Sequence, residues 1–283
     1  MPRAHRTLLV FCLAVGVAAL SACSLMFPAA GLRTDGADAA AGSDANADAS
    51  PVDGNAEAGE AGAWCAAAPR LGDGGFVCDD FDEEGPFSRW TGIAVNGSSS
   101  LGRDRQSFRS SPNSLLASVT SGNAFVFREL NGTIRRVRFS FDIKIDARDI
   151  VSSYAEANEI RLLRGLSEVS SAFYLAFDAM NAQHTTWVGE AHLPDGGLLQ
   201  HRLALDGNPR FDEWTRVDLE VDLAATPHRM TVHVNGNVAG SDILEDALYI
   251  PGPARVDVGI VYAAVPSSNG WRVRYDNVTL DWE

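Results

Sequence analysis

The chain has 283 residues, with 23 Lys plus Arg against 37 Asp plus Glu and a formal net charge of −14. A protein that neutralises phosphates needs the opposite balance, so nucleic acid is excluded as a partner class. Hydrophobic residues at 46% suffice for a core, and 26 Gly with 12 Pro foretell many turns.

In chain order, the first element is an address. Arg3 and Arg6 precede an apolar run from Thr7 to Leu20, too short to span a bilayer as a helix but suited to a secretory signal core. The run ends in Leu20-Ser21-Ala22-Cys23, which resembles a bacterial lipobox. That resemblance implies a signal peptide of residues 1–22, cleavage before Cys23 and a diacylglyceryl anchor on its thiol. An ordinary signal peptide beside a chance Cys is the alternative. Ser24 follows, with no Asp to signal inner-membrane retention. The expectation is an outer-membrane lipoprotein of the cell envelope, periplasmic or surface-exposed, that meets membrane only through its lipid anchor. Cys12 falls within the removed segment.

Residues 23–63 then read as a disordered linker. Ala and Gly fill nineteen of the forty positions from 24 to 63, and seven acids face Arg33 alone. Such a stretch cannot offset its ordering entropy, and as a flexible coil it reaches roughly 35 Å. Taking +2 for the signal and −6 for the linker from −14 leaves −10 on residues 64–283, the expected folded domain. Cys65 and Cys78 open that domain, and an oxidising compartment predicts a disulfide between them. Without CxxC spacing or a nearby His, a redox or zinc role has no support.

The domain itself alternates with period two. Weaker strand candidates at 115–120 and 124–130 come first. Val137, Phe139, Phe141, Ile143 and Ile145 then share one face against Arg138, Ser140, Asp142, Lys144 and Asp146. A short helical piece near 152–157 is expected next, then a weaker strand at 159–164. Phe173, Leu175 and Phe177 mark another strand, with weaker ones at 185–190 and 198–205. Val217, Leu219, Val221 and Leu223 alternate with Arg216, Asp218, Glu220 and Asp222. Met230, Val232 and Val234 lead to the hairpin turn Asn235-Gly236. Val256, Val258, Ile260 and Tyr262 follow. In the last strand Trp271, Val273 and Tyr275 are odd-numbered while Val278, Leu280 and Trp282 are even-numbered. One face holds both sets only if a β-bulge lies near Asp276-Asn277.

Several short motifs come in an order that carries a resemblance. They are Cys78-Asp79-Asp80-Phe81-Asp82 with Trp90, Ser110-Ser111-Pro112-Asn113-Ser114-Leu115, and Trp214-Thr215-Arg216-Val217-Asp218-Leu219. Val232-His233-Val234-Asn235-Gly236 and the closing Tyr275-Asp276-Asn277-Val278-Thr279-Leu280 complete the series. Over residues 76–283 this resembles the concanavalin A-like lectin/glucanase superfamily, especially its laminin-G-like jelly rolls. The resemblance implies an all-β, two-sheet antiparallel jelly-roll sandwich of roughly 11–14 strands. It also implies frequent carbohydrate binding on the concave face or edge loops.

Catalysis on such a scaffold needs a complete set of reacting groups. The superfamily's glucanases carry Glu-x-Asp-x-x-Glu, and here Glu220-Val221-Asp222-Leu223-Ala224-Ala225 ends in Ala225 where the acid would stand. A polysaccharide lyase would draw on Asn158, Glu159, Arg161, Tyr174, His184 and His201, although their spacing singles none of them out. No GxSxG, HExxH, P-loop or GxGxxG occurs. Asp80, Asp82 and Asp276, with Asp79 and Asn277, suggest a structural Ca²⁺ site; turn-capping carboxylates are the alternative. Trp187 and Trp271, with Arg161 and Tyr174, are candidates for sugar contact, whereas Trp90, Trp214 and Trp282 are expected in the core. The expectation is a non-catalytic carbohydrate-binding or adhesion domain that meets an envelope polysaccharide. A divergent hydrolase or lyase using Glu220, Asp222 and Arg161 is one alternative, and a structural envelope protein that binds another protein is the other.

Overall fold

The alternating segments all become strands, because their apolar residues can then share one face over a common core. The computed structural model describes residues 64–65, 68, 70, 74–83, 85–146, 154–164, 168–178, 184–193, 195–204, 209–264 and 270–283. The expected signal peptide, Cys23 and the linker lie outside the described residues.

In order, the strands are β1 (Gly75–Asp79), β2 (Gly92–Asp104), β3 (Ser114–Ile134), β4 (Arg136–Ile145), β5 (Tyr154–Arg164), β6 (Glu168–Asp178) and β7 (His184–His192). They continue with β8 (Leu198–Ala204), β9 (Thr215–Asp222), β10 (His228–Val234), β11 (Asn237–Leu244), β12 (Gly252–Ala264) and β13 (Trp271–Trp282). Every ladder between them is antiparallel.

Two layers result. One runs β11-β10-β9-β4-β13 and the other β12-β5-β6-β7-β8. The long β3 joins them, pairing β13 through Leu115–Val119 and β12 through Gly122–Ile134. It thus merges the two short strands expected at 115–120 and 124–130. The crossing comes at Gly97 and Gly122, which face each other in the β2–β3 ladder with φ of 70° and 94°. A Cβ on Gly122 would lie 2.2 Å from the Asn96 carbonyl oxygen, so only glycine lets β2 and β3 bend together there.

Between the layers, Phe139, Phe141 and Ile143 of β4 and Tyr275 of β13 pack with Phe173, Leu175 and Phe177 of β6. Each such burial stabilises by about 1.5–3 kcal/mol. Trp187 and Trp271, expected as sugar platforms, belong to this core and are 0% and 1% exposed. Ring centre to ring centre, Trp187 lies 6.5 Å from Phe141 and Trp271 5.7 Å from Phe177, so both tie the layers together. A ring without solvent access cannot stack on a sugar. Trp90 is buried as expected and donates its Nε1–H to Asp79 at 2.7 Å, while Trp214 and Trp282 are only half-buried.

The bulge demanded by the parity of β13 is present. Its register against β4 shifts between Asp276 and Thr279, with Asn277 at φ 49°, and Tyr275 and Val278 both point inward. Asn235 and Gly236 close the β10–β11 hairpin with positive φ at both positions. Cys65 and Cys78 are joined as a disulfide.

The helical piece expected near 152–157 is corrected, since residues 154–157 open β5. Ala155 and Ala157 favour helix in isolation, but as strand residues both methyl groups are fully buried in the core. Helix and strand propensities differ by at most about 1 kcal/mol per residue, and packing overrides them.

Candidate functional site

A bulge in β5 gathers polar side chains onto the outer face of β5, β6 and β7. Ala157 pairs with Leu175, yet the next pair is Ile160 with Phe173, and Asn158 between them sits at φ 52°. Before the bulge Ala155 and Ala157 point inward; after it Ile160 and Leu162 do. Glu156, Glu159 and Arg161 therefore share the outer face despite their mixed parity. Asn158 holds the distortion by accepting the Gly259 N–H at 3.2 Å.

Across the neighbouring strands, the same face carries Tyr174 on β6 and Glu190 on β7. The Tyr154 hydroxyl donates to Glu156 at 3.0 Å and the Tyr174 hydroxyl to Glu190 at 3.3 Å. The two phenols adjoin each other, so the Tyr154–Glu156 and Tyr174–Glu190 pairs stand side by side. Gln200 of β8 donates to Glu190 at 3.0 Å. Ala172, Ala176 and Val188 supply an apolar floor. Beside the two pairs, the Arg161 Nε donates to Glu159 at 2.6 Å, and its Nη2 lies 3.3 Å from the fully buried Asp257. Arg255 pairs with the same Asp257 at 2.7 Å, its guanidinium 3.9 Å over the Phe127 ring.

Burial raises the pKa of Glu156 to about 7. The Tyr154 hydrogen bond opposes the rise, and the negative charges of Glu159 and Glu190 reinforce it. Burial, together with the charge of Glu156, also pushes the Tyr154 and Tyr174 phenols above their ordinary range. Both phenols are therefore protonated donors at neutral pH. A carboxyl half-protonated near neutrality, standing near a second carboxylate, is suited to acid–base work.

Arg161 and Tyr174, two of the expected contact residues, thus stand together with Glu159. Tyr154 and Glu156 lie in the stretch expected to be helical, and Glu190 in a weak strand whose partners only the sheet reveals. The alternation Tyr154-Ala155-Glu156-Ala157 was the available signal.

The other candidates lie elsewhere. Glu220 and Asp222 stand on β9, in the other layer, pointing away from the core. Asp222 accepts the Ala224 and Ala225 N–H groups at 2.9 and 3.0 Å and pairs with Arg136 at 3.0 Å. Against the effect of burial, those contacts hold its carboxyl below the usual range. Asp222 is thus a turn cap and the ion-pair partner of Arg136. His201 meets Asp242 at 3.0 Å and Glu245 at 2.6 Å, which links β8 to the end of β11. His184 opens β7, and its side chain lies outside the described residues.

Of the residues expected to hold Ca²⁺, Asp276 has both carboxylate oxygens engaged by donors. Asp276 Oδ2 accepts the Arg109 and Ser110 N–H groups at 2.7 and 2.8 Å. Its Oδ1 accepts the Ser110 hydroxyl at 2.8 Å and the Asn277 N–H at 2.7 Å. Asp82 accepts the Asn113 N–H at 2.9 Å, and Asp80 that of Asp82 at 3.3 Å. Oxygens ringed by hydrogen-bond donors are not placed for a cation. Among the described residues, no three His, Cys, Asp or Glu side chains gather to hold a metal ion.

No protein-family model matches the chain, and no curated protein matches it either. Solved structures do. Endo-β-1,4-glucuronan lyase from the fungus Trichoderma reesei is similar with a TM-score of 0.50 and 14% identity, covering 72% of this chain and 94% of that one. The κ-carrageenase from Pseudoalteromonas carrageenovora, solved with an oligotetrasaccharide of κ-carrageenan, gives 0.46 and 13%, covering 76% and 98%. An alginate lyase from Pseudomonas aeruginosa gives 0.44 and 16%, covering 60% and 83%. The fold is a concanavalin A-like jelly roll, as in the glucuronan lyase. The expectation of a non-catalytic binding module is corrected accordingly. A solved structure of like fold is a polysaccharide lyase, and the outer face of β5–β7 carries two carboxyl groups that each accept from a phenol.

Proposed function

We propose that the chain hydrolyses a glycosidic bond in a polysaccharide laid across the outer face of β5, β6 and β7. Glu156 acts as general acid and Glu190 as general base. The observation that carries this reading is the pair of carboxyl groups that each accept from a phenol, one member of which has a pKa of about 7. Glycoside hydrolysis needs one protonated carboxyl for the leaving oxygen and one ionised carboxyl for the incoming water. Inversion at the anomeric carbon is the expected outcome. The shared fold supports the setting, while the roles rest on these side chains alone.

The test is to incubate the full chain with a panel of polysaccharides, counting new reducing ends and reading the first product anomers by proton NMR. Absence of new reducing ends on every polysaccharide sinks the reading, and retained configuration removes the assigned roles. β-Elimination at a uronate is the second reading, favoured by two phenols beside Arg161 on one face. Against it, both phenols hold their protons, and Arg161 is already engaged by Glu159 and Asp257. Products with ultraviolet-absorbing unsaturated ends would select elimination.

Tyr262 supplies the stacking surface for which the buried tryptophans had been expected. It lies opposite Glu156 in the β12–β5 ladder, is 50% exposed, and its ring centre is 6.5 Å from that of Tyr154. Tyr262→Ala should raise KM about five- to tenfold with kcat little changed, because the lost stacking serves ground and transition states alike. Steady-state kinetics decide it, and an equal fall in kcat would move Tyr262 into the chemistry.

Envelope anchoring belongs to the same proposal, supported by the lipobox-like sequence before Cys23. Palmitate should label the wild-type protein and not Cys23→Ala. Equal labelling of the two, or none, defeats the anchor.

A further inference from the structure

A cleft of about 480 Å³, which shares no residue with the carboxylate face, is walled by the Cys65–Cys78 disulfide, Phe76, Arg70, Arg89 and Arg128. Its size is in the range of small-molecule pockets, ~300–1,000 Å³. Among the described residues that line it, three are arginines and none is acidic, in a domain whose sequence carries −10 overall. Gathering like charges is unfavourable unless negative charge sits among them.

Arg89 has such a partner in Glu83, outside the lining. Among the described residues, Arg70 and Arg128 have no carboxylate within ion-pair distance. Arg128 is the sharper case. Its Nη1 donates to the Arg89 carbonyl at 3.1 Å, while its Nε is buried and meets no acceptor. Buried donors are nearly always paired in folded proteins, so a shift of this guanidinium toward an incoming anion would relieve the unpaired N–H. Arg70 is exposed and lies 4.4 Å over the Phe76 ring, a contact that orients its guanidinium at the cleft.

We propose that this cleft is a second ligand site, for a sugar-sized molecule that carries a carboxylate or phosphate group. The planar guanidinium groups match the oxygens of either anion in a bidentate fashion. Phe76, Val77 and the disulfide offer apolar contact to the ring that carries the anion. The site stands apart from the catalytic proposal and survives its failure, since binding alone is claimed.

The test is calorimetric titration of the full, oxidised chain with glucuronate, glucose 6-phosphate, inorganic phosphate and glucose. At least one of the three anions should bind, more weakly as salt rises, and glucose should not. Binding of glucuronate alone assigns a sugar acid as the ligand, whereas binding of glucose 6-phosphate and inorganic phosphate assigns a phosphate. Arg128→Gln and Arg70→Ala should each weaken binding about tenfold or more. Arg70 is exposed, so its variant keeps the test valid should Arg128→Gln fail to fold. Failure of all three anions to bind overturns the site. So does glucose that binds as tightly as the anions, or anion binding that Arg70→Ala leaves unchanged.

Discussion

Replacing Glu156 by Gln is expected to lower kcat about 10²–10⁴-fold on any polysaccharide cleaved at the outer face of β5–β7, because an amide cannot deliver the proton a leaving glycosidic oxygen needs. In the wild type the same group sets the basic limb of the pH–rate profile. Its pKa is raised by burial to about 7, so the protonated fraction, and the rate with it, falls as pH climbs through 7. A limb displaced well into the alkaline range would assign the acid to another residue. Glu220→Gln, on the opposite layer, should leave the rate unchanged.

Glu156 also leaves a mark on stability that does not depend on activity. Its folded pKa of about 7 lies above the ordinary glutamate value, so the unfolded chain releases this proton first as pH rises. The stabilising contribution is fully present below about pH 4 and is lost as pH rises toward 7. The loss is on the order of 2 kcal/mol, or roughly 5 °C in melting temperature between pH 5 and pH 8 for a domain of this size. Glu156→Gln should flatten that part of the pH dependence. Identical slopes for the two proteins in differential scanning calorimetry would contradict the burial argument.

The largest stability effect is expected at Asp276. Asp276→Ala should destabilise the domain by about 3–5 kcal/mol, near 10 °C in melting temperature. Its carboxylate is the common acceptor for the Arg109, Ser110 and Asn277 N–H groups and the Ser110 hydroxyl. With alanine there, those donors are stranded in a mostly buried place, and each unsatisfied group costs about 1–3 kcal/mol before relaxation. The bulge of β13 would lose its lock at the same time, since Asn277 bonds both Asp276 and Asp142. Urea unfolding monitored by tryptophan fluorescence measures it. A change below about 1 kcal/mol would mean that water takes over these bonds. Addition of Ca²⁺ should leave the wild-type midpoint unmoved, because the oxygens once expected as ligands face donors.

The sequence by itself determined the strand content, the β10–β11 turn, the disulfide partners and the bulge of β13. Each rests on local information: period-two alternation, an Asn-Gly pair, two cysteines thirteen positions apart, and a change of parity between Tyr275 and Val278. The sandwich followed, since that many amphipathic strands must bury one face against another. What only the tertiary structure decided was which way particular side chains face and what they meet. Trp187 and Trp271 went to the core because their strands turn those positions inward, and no feature of a single tryptophan reveals that. The carboxylate pair stayed hidden for two physical reasons. The bulge at Asn158 reverses parity within β5, so Glu156, Glu159 and Arg161 look scattered along the chain and converge only in the sheet. Glu156 and Glu190 then come near each other beside two phenols from adjacent strands, and strand pairing over such sequence separations depends on the packing of the whole layer.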